Sequence, residues 1–170
     1  MSAARGDELQ PIELFDPSRH RVQDFCSGSP SLDEWLKEHA HAASMAGTAA
    51  TWVLPSSAHV VGYYSLAMGA LARHGLPSRL GRGHPNPVPV LLLVRLAIQQ
   101  ELQGQGLGAE LLGDALRRAV LGAWHYGARA LIVDALDGSA YGFYRHHGFL
   151  PLTGLRLYRR VSDIARSMKP

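Results

Sequence analysis

The stretch from Pro89 to Ala123 constrains the fold of this chain more than any other, because three local patterns follow one another within it. It begins with an apolar run, Val90–Val94, which continues as Leu96–Ile98 after one arginine. Glycines then stand at positions 104, 106 and 108, and apolar residues recur at helical spacing from 107 to 120. The succession predicts a strand buried on both faces, a glycine-rich turn and an amphipathic helix.

A glycine-rich turn of this kind suits a phosphate or pyrophosphate. Glycine lets successive backbone N–H groups point inward, and the first turn of the helix adds unpaired donors and the positive end of its dipole. The turn alone is equally compatible with a tight connection that binds nothing. A Walker loop is excluded because Ala109-Glu110 stand where Lys and Ser or Thr are required. A dinucleotide fingerprint ending at Ala109 would leave too few residues for a doubly wound sheet.

Size and composition predict one domain. A chain of 170 residues that is 46% hydrophobic can form one full core. We expect a disordered start at residues 1–10, a single domain over 11–160 and a tail at 161–170. The lone Cys26 excludes an intrachain disulfide and fits a reducing cytosol. No apolar run reaches the roughly 18 residues of a membrane span, and no signal peptide begins the chain, so we expect a cytoplasmic protein without membrane contact.

Local patterns predict the order β-α-α-β-β-β-α-β-α-β. Ser31 and Glu34 form a capping-box pattern at the start of the second helix, and Gly47 should end that helix. The proline- and glycine-rich segment 72–89 should be an irregular loop leading into the central strand. The predicted strands cover 11–15, 50–54, 60–68, 90–98, 129–135 and 155–160, and the predicted helices cover 18–25, 32–43, 107–120 and 139–147.

Two motifs resemble those of the GNAT N-acetyltransferases. Gln103, Gly106 and Gly108 match the Gln-x-x-Gly-x-Gly of the family's pyrophosphate loop, and Ala140–Phe149 is similar to its last helix. The resemblance implies an α/β (α+β) GNAT fold, in which helices flank a mixed, twisted central sheet of about six strands with two splayed parallel strands. It also implies acetyl-CoA as co-substrate. We expect no metal, because the nine histidines are scattered without a metal-ligand spacing and only one cysteine is available.

The same resemblance assigns the site residues. Tyr144 would be the general acid that protonates the leaving thiolate, although a tyrosine in this residue pattern is more often a core residue. Backbone groups of the central strand would pair with the pantetheine arm and polarise the thioester carbonyl. The expected acetyl-CoA contacts are Leu96, Ala97, Ile98, Gln103, Gly104, Gln105, Gly106, Leu107 and Gly108.

The central strand carries no catalytic base. No Asp or Glu occurs from Val90 to Gln100. A lysine amine, with a pKa of about 10.4, must lose a proton before it attacks, whereas an α-amino group titrates near about 8. The sequence therefore favours an acceptor amine of low pKa that loses its proton to water.

Four further segments give a narrower resemblance, to the GNAT toxins of bacterial type II toxin–antitoxin pairs. They are Ser31–Leu36, Gly62–Ala67, Pro87–Val90 and Arg95–Ile98. The resemblance implies acetylation of the α-amino group of aminoacyl-tRNA, which blocks translation, and neutralisation by a ribbon-helix-helix antitoxin. It leaves open whether the protein forms a homodimer. Two alternatives stay open: an acetyltransferase for a small amine or a protein N-terminus, and a non-catalytic nucleic-acid-binding or regulatory domain.

Arginines are concentrated where acidic residues are missing. No Asp or Glu lies between Glu38 and Glu101, or between Asp137 and Asp163. If the arginines of these stretches share a face, they form a surface that attracts a polyanion such as tRNA. The expected tRNA-binding residues are Arg79, Arg82, Arg95, Arg156, Arg159 and Arg160.

Overall fold

The computed structural model describes residues 8–170, in which seven strands form one mixed sheet. The order across the sheet is β1-β2-β3-β4-β5-β7-β6. β4 and β5 pair in parallel, whereas the β1–β2, β2–β3, β5–β7 and β6–β7 pairs are antiparallel, so the predicted mixed sheet is confirmed. The strands are β1 (Glu13–Leu14), β2 (Ala50–Ser56), β3 (His59–Leu71), β4 (Val88–Ile98), β5 (Ala130–Asp134), β6 (Leu150–Thr153) and β7 (Arg156–Arg160).

Helices precede, interrupt and follow these strands. A π-helical segment, Trp35–His39, joins α1 to α2, and a 3-10 turn, Gln100–Leu102, follows β4. The longest helix follows the glycine-rich turn, as predicted. The α-helices are α1 (Pro30–Glu34), α2 (Ala40–Ala46), α3 (Ser78–Gly81), α4 (Leu107–Tyr126), α5 (Gly138–His146) and α6 (Val161–Ser167).

The helix predicted over 18–25 is wrong, because side chains there form a turn. The Asp16 carboxylate accepts hydrogen bonds from the backbone N–H and the hydroxyl of Ser18, at 2.9 and 2.7 Å. The Asp16 N–H donates to Nδ1 of the buried His20 at 2.9 Å. Such local bonds compete with helical ones. Arg21 then forms an isolated bridge with His59, which draws the chain into extended structure.

The predicted capping box is also wrong. The helix begins at Pro30 with Ser29 as its N-cap, so Ser31 lies inside the first turn and makes no capping bond. Proline suits this first position because its φ is already helical and it has no N–H to satisfy. Gly47 ends α2 in the left-handed conformation at φ 72°, as predicted.

The first compact unit comprises the residues up to Leu66 together with Arg95–Ala115. The β2–β3 hairpin carries a register shift between Leu54 and Pro55, beside the Gly62 position that pairs with Leu54. Buried side chains from the segment before α1, from the α1–α2 region, from the hairpin and from the end of β4 form its core: Val22, Phe25, Leu36, Ala40, Val53, Val60, Tyr63 and Ala97.

The second compact unit comprises Ala67–Val94 and Leu116–Pro170. Here β4 pairs with β5 over Leu91–Leu93 and Leu131–Val133. The expected tail contains α6, because Val161 and Ile164 are buried against the unit. β6 was not predicted, since only one of its residues is even half-buried and its sequence lacks alternation. The core of this unit contains Leu80, Val88, Val90, Ala130, Ile132 and Tyr158.

The single domain predicted for residues 11–160 stays a prediction, and most of the expected disordered start lies outside the described residues. Within residues 8–170, no helix is both long and apolar enough to cross a membrane.

Candidate functional site

The end of β4 offers backbone rather than side-chain chemistry. Its ladder with β5 ends at Leu93, and the strand itself runs on to Ile98. Ala97 and Ile98 are buried and Leu96 is half-buried. Ala97 belongs to the core of the first unit. The apolar side chains at this strand end therefore stabilise the fold, while the backbone N–H and C=O groups beyond the ladder are what a ligand could use.

The glycine loop, residues 103–108, lies directly before α4. Gly104 and Gly106 have left-handed φ values of 79° and 86°, and a Cβ on either would meet no atom within 4 Å. Leu107 is buried at the start of the helix, Gly108 lies within its first turn, and Gln105 is exposed. The N–H of Glu110 donates to Gly106 C=O at 3.2 Å.

The geometry of the loop fits a diphosphate. The two left-handed glycines leave open space in front of the backbone, so an anion can approach without meeting a side chain. α4 is 20 residues long, and the first N–H groups of such a helix have no intrahelical acceptor. Donors and the positive end of the helix dipole thus face the same opening.

Glutamine side chains hold this loop to a distant segment. Gln103 Nε2 donates to Ile98 C=O at 2.9 Å and to Ser27 C=O at 2.7 Å. Gln99 Oε1 accepts from the Cys26 N–H at 2.9 Å, and the Gln100 N–H donates to Cys26 C=O at 2.8 Å. Sequence reasoning assigned Gln103 to the cofactor and missed Gln99. No local signal could have revealed Gln99, because its partner lies 73 residues away.

Arg95 is engaged within the first unit. Its guanidinium lies over the Trp35 ring, 5.6 Å from the ring centroid. Trp35 begins the π-helical segment and stacks on Tyr63, whose hydroxyl donates to Leu32 C=O at 2.7 Å. Arg95 is half-buried, so it contributes to packing as well as to charge.

Tyr144 lies on α5 in the second unit. The Asp137 carboxylate caps the helix by accepting from the Ala140 N–H at 2.8 Å. The Tyr144 ring is 6% exposed and packs edge-on against Phe143 and Phe149, with centroids 5.2 and 5.5 Å away. Burial raises the pKa of Tyr144 above the ordinary value for a phenol.

The Tyr144 hydroxyl is chemically available. Within residues 8–170 it makes no hydrogen bond, and its oxygen is not fully buried. The oxygen therefore keeps some contact with the surroundings while its ring is buried. A protonated phenol in this position can donate a proton to a group that reaches it.

The arginines of β7 are held by nearby groups. Arg156 forms a two-point ion pair with Asp134, at 2.7 and 2.9 Å. Arg160 pairs with Asp163 in the same way, at 2.8 and 3.0 Å. These contacts raise the pKa of both guanidinium groups and lower that of both carboxyl groups. Two arginines of the stretch without acids are thus neutralised by carboxylates that lie just outside it in sequence.

Arg159 is also engaged. It is half-buried and donates to His147 C=O at 3.2 Å and to Ser167 Oγ at 3.1 Å. Burial lowers the pKa of its guanidinium. Arg79 on α3 and Arg82 beside it differ from the arginines of β7, because both are exposed and neither guanidinium has an ion pair within residues 8–170.

Side chains that could bind a metal ion are not clustered in the described part of the chain. Over residues 8–170, no group of three or more His, Cys, Asp or Glu side chains could hold a metal ion. His147 Nδ1 lies 2.8 Å from Phe143 C=O, so this ring is engaged with the backbone of α5.

Residues 47–151 match the family model of the acetyltransferase (GNAT) domain. The chain is 44% identical over 128 residues to a tRNA-acetylating toxin of Mycobacterium tuberculosis, covering 75% of this chain and 77% of that protein.

Solved structures agree with this similarity. AtaT complexed with acetyl-methionyl-tRNAfMet superposes with a TM-score of 0.85 at 28% identity, over 95% of this chain and 100% of that one. A tyrosine-to-phenylalanine mutant of AtaT, bound to acetyl-CoA and the C-terminus of the antitoxin AtaR, gives a TM-score of 0.82 at 28% identity, over 95% and 99%.

Proposed function

This chain belongs to the GNAT acetyltransferase family, and we propose that it transfers the acetyl group of acetyl-CoA to the α-amino group of an aminoacyl-tRNA. In this proposal it is the toxin of a type II toxin–antitoxin pair, acts in the cytoplasm and blocks translation. A ribbon-helix-helix antitoxin would neutralise it. The structure of AtaT bound to the C-terminus of its antitoxin AtaR supports an antitoxin partner.

The observation that carries the proposal is the 44% identity to a tRNA-acetylating toxin. The likeness extends along nearly the whole chain to AtaT, whose structure contains acetyl-methionyl-tRNAfMet. The glycine loop supplies the physical requirement for the co-substrate, since its open backbone before a long helix suits a diphosphate.

Acetyl-CoA would supply the activated acetyl group as a thioester. The glycine loop would hold its diphosphate through backbone N–H groups, and Gln103 would keep that loop in place from the end of β4. The backbone of Leu96, Ala97 and Ile98 would pair with the pantetheine arm, and an N–H there would polarise the thioester carbonyl. Gln105, Leu107 and Gly108 complete the proposed contacts.

Proton transfer would need two groups of opposite character. The acceptor amine must lose a proton, and residues 90–100 offer no carboxylate to take it. An α-amino group with a pKa near about 8 is partly neutral at physiological pH, so water suffices. Tyr144 would return a proton to the departing thiolate, and its raised pKa keeps the phenol protonated for that purpose.

The exposed cations would bind RNA. Arg79 and Arg82 have no carboxylate partner within residues 8–170, so their full charge would act on the RNA phosphates. We keep Arg95, Arg156 and Arg159 as proposed contacts, together with Arg160. Each of these four side chains already contacts another group of the protein. Binding RNA would weaken or replace that contact, so each is expected to contribute less to RNA affinity than an exposed arginine.

The test is a transfer assay with acetyl-labelled acetyl-CoA and purified protein. The expected result is labelled aminoacyl-tRNA, with no label on deacylated tRNA because it lacks the amine. Expression without an antitoxin should arrest growth through translation. Efficient labelling of a small amine or a peptide, with charged tRNA ignored, would replace the proposal by the alternative acetyltransferase. No labelling of any acceptor would favour a non-catalytic binding domain.

A further inference from the structure

A pocket of about 370 Å³ opens beside α3 in the second unit. We call it the α3 pocket; it is lined by Arg73, Leu76, Ser78, Gly81, Arg82 and Gly83. Its lining includes two arginines and a serine, and residues 39–100 contain no acid at all. The segment around the pocket therefore carries positive charge that no neighbour in sequence neutralises.

The two arginines of the pocket keep most of their donors. Arg73 uses Nη1 to donate to His84 C=O at 3.2 Å, which orients the side chain without neutralising it. The Arg82 guanidinium is exposed and forms no ion pair within residues 8–170. A guanidinium carries five N–H donors in a planar fork that matches phosphate oxygens. Both arginines line the pocket and keep N–H donors that a phosphate oxygen could accept from.

The wall of the pocket is anchored in the core. Leu80, which lies in sequence between Ser78 and Gly81 of the lining, is fully buried. It packs in the core of the second unit, in the same cluster as Val88 and Ile132. Gly81 is buried too, and a Cβ there would lie 3.0 Å from Arg73 Cγ. A site held this way loses less conformational freedom on binding than a mobile surface loop would.

We propose that the α3 pocket binds a phosphate group of the RNA chain that carries the acceptor amine, through Arg73, Ser78 and Arg82. The inference rests on the proposed function and goes further, because it separates one specific phosphate contact from a diffuse positive surface. Arg79 lies on the same helix but does not line the pocket. It contributes charge to the surroundings, whereas Arg82 contributes charge and a direct hydrogen-bonding fork.

The test measures binding of deacylated tRNA to the full chain between about 50 and 200 mM salt, and so does not depend on acetylation. Arg82→Ala should weaken binding about tenfold and flatten the slope of log K against log salt by somewhat under one unit. Arg79→Ala removes the same charge and should cost about twofold, as expected for charge acting without a contact. Arg82→Lys should fall between them, since it keeps the charge and loses the fork.

Two controls accompany these variants. Arg21→Ala removes an exposed arginine outside the pocket and should leave tRNA binding unchanged. Acetyl-CoA affinity and melting temperature should be the same in all variants. Ser78→Ala should weaken tRNA binding by a few-fold without changing the salt slope, because it removes a neutral donor.

Equal losses in Arg82→Ala and Arg79→Ala would overturn the inference, because only diffuse charge would then act. It would also be overturned if Arg82→Ala abolished binding of a polyglutamate peptide and left tRNA binding intact, since the occupant would then be an acidic protein segment. A wild-type protein that binds tRNA through Arg82 but transfers no acetyl group would retain the pocket and refute the proposed function.

Discussion

The glycine loop offers its backbone to a ligand, whereas α5 offers a single side chain, that of Tyr144. Gly104 and Gly106 leave space that no Cβ fills, and Gln103 fixes the loop with two hydrogen bonds to carbonyl groups. Tyr144 has the opposite construction: its ring packs edge-on against Phe143 and Phe149, and its hydroxyl has no hydrogen-bond partner within residues 8–170. Hydrogen bonds therefore fix the glycine loop, which exposes a stretch of backbone to a ligand. Apolar packing fixes Tyr144, which exposes only its hydroxyl oxygen.

This difference predicts different consequences of mutation. A backbone site should be insensitive to most side-chain changes except those that fill its space or release its support. A single-atom site should lose its function when that atom is removed, with little change in stability. The predictions below test this contrast, from the largest expected effect to the smallest.

Tyr144→Phe removes the hydroxyl and leaves the ring in its packing. If the hydroxyl protonates the leaving thiolate, turnover should fall by roughly 10²–10⁴, the range for loss of a general acid. The melting temperature should stay close to that of the wild type, because the hydroxyl makes no hydrogen bond within residues 8–170 that the fold would lose. The measurement is single-turnover transfer to charged tRNA with saturating acetyl-CoA.

A matched control for Tyr144→Phe is Tyr141→Phe, on the same helix and only half-buried. It should leave turnover unchanged. Near-normal turnover in Tyr144→Phe would show that the buried tyrosine serves packing alone. Lower acetyl-CoA affinity in that variant would mean that the hydroxyl binds rather than reacts.

Gly106→Asp places a Cβ and a negative charge in the open space of the glycine loop. Acetyl-CoA affinity should fall at least about tenfold, which corresponds to about 1.4 kcal/mol. Left-handed backbone strains any L residue, so the control must carry the same strain. Gly154→Asp provides it, since Gly154 also has positive φ and open surroundings.

Calorimetric titration of both folded variants separates strain from site chemistry. Both should lose stability, and only the Gly106 variant should lose cofactor affinity. Gly106→Ala, which adds the Cβ without the charge, should lie between wild type and Gly106→Asp. Equal acetyl-CoA affinity in the wild type, Gly106→Ala and Gly106→Asp would show that the diphosphate binds elsewhere.

Gln103→Ala removes the support of the loop without touching the loop's open face. The carbonyl groups of Ser27 and Ile98 would lose their donor, so the free energy of unfolding should fall by about 1–2 kcal/mol. Acetyl-CoA affinity should fall only a few-fold, through a looser loop. Gln105 is an exposed residue of the same loop, and Gln105→Ala keeps the backbone N–H through which it would contact the cofactor, so this variant should change neither quantity. Urea unfolding and calorimetry together measure both effects, and equal behaviour of the two variants would contradict a supporting role for Gln103.

The glycine loop was predictable from sequence because its signals are local. A buried apolar run, alternating glycines and helical periodicity occur within one continuous stretch, and the structure forms β4, the loop and α4 there. The supports of the loop were not predictable. Gln103 and Ser27 are 76 residues apart, and nothing in either local sequence indicates their bond. Likewise, the position of Tyr144 was expected, but the burial of its ring depends on the packing of α5.

The arginines show the same limit more clearly. Arg156 and Arg82 both belong to stretches that lack acids in sequence, yet only Arg156 pairs with a carboxylate in the described structure. Its partner, Asp134, lies opposite it on the neighbouring antiparallel strand. The pairing of β5 with β7 places the Asp134 carboxylate beside the Arg156 guanidinium. The distribution of charges along the sequence does not show this contact.

The smallest expected effect concerns pH, and it distinguishes a buried tyrosine from an exposed one. Burial raises the pKa of Tyr144, so the protonated donor should persist as pH rises through the ordinary phenol value near about 10. The acceptor α-amine loses its proton near about pH 8. The initial rate of acetyl transfer should therefore rise from pH 6 to about pH 9, where about nine tenths of the amine is neutral, and then stay level to about pH 10. A fall of the rate above pH 8.5, absent from Tyr144→Phe, would show that the phenol ionises there and that its surroundings do not raise its pKa as the packing requires.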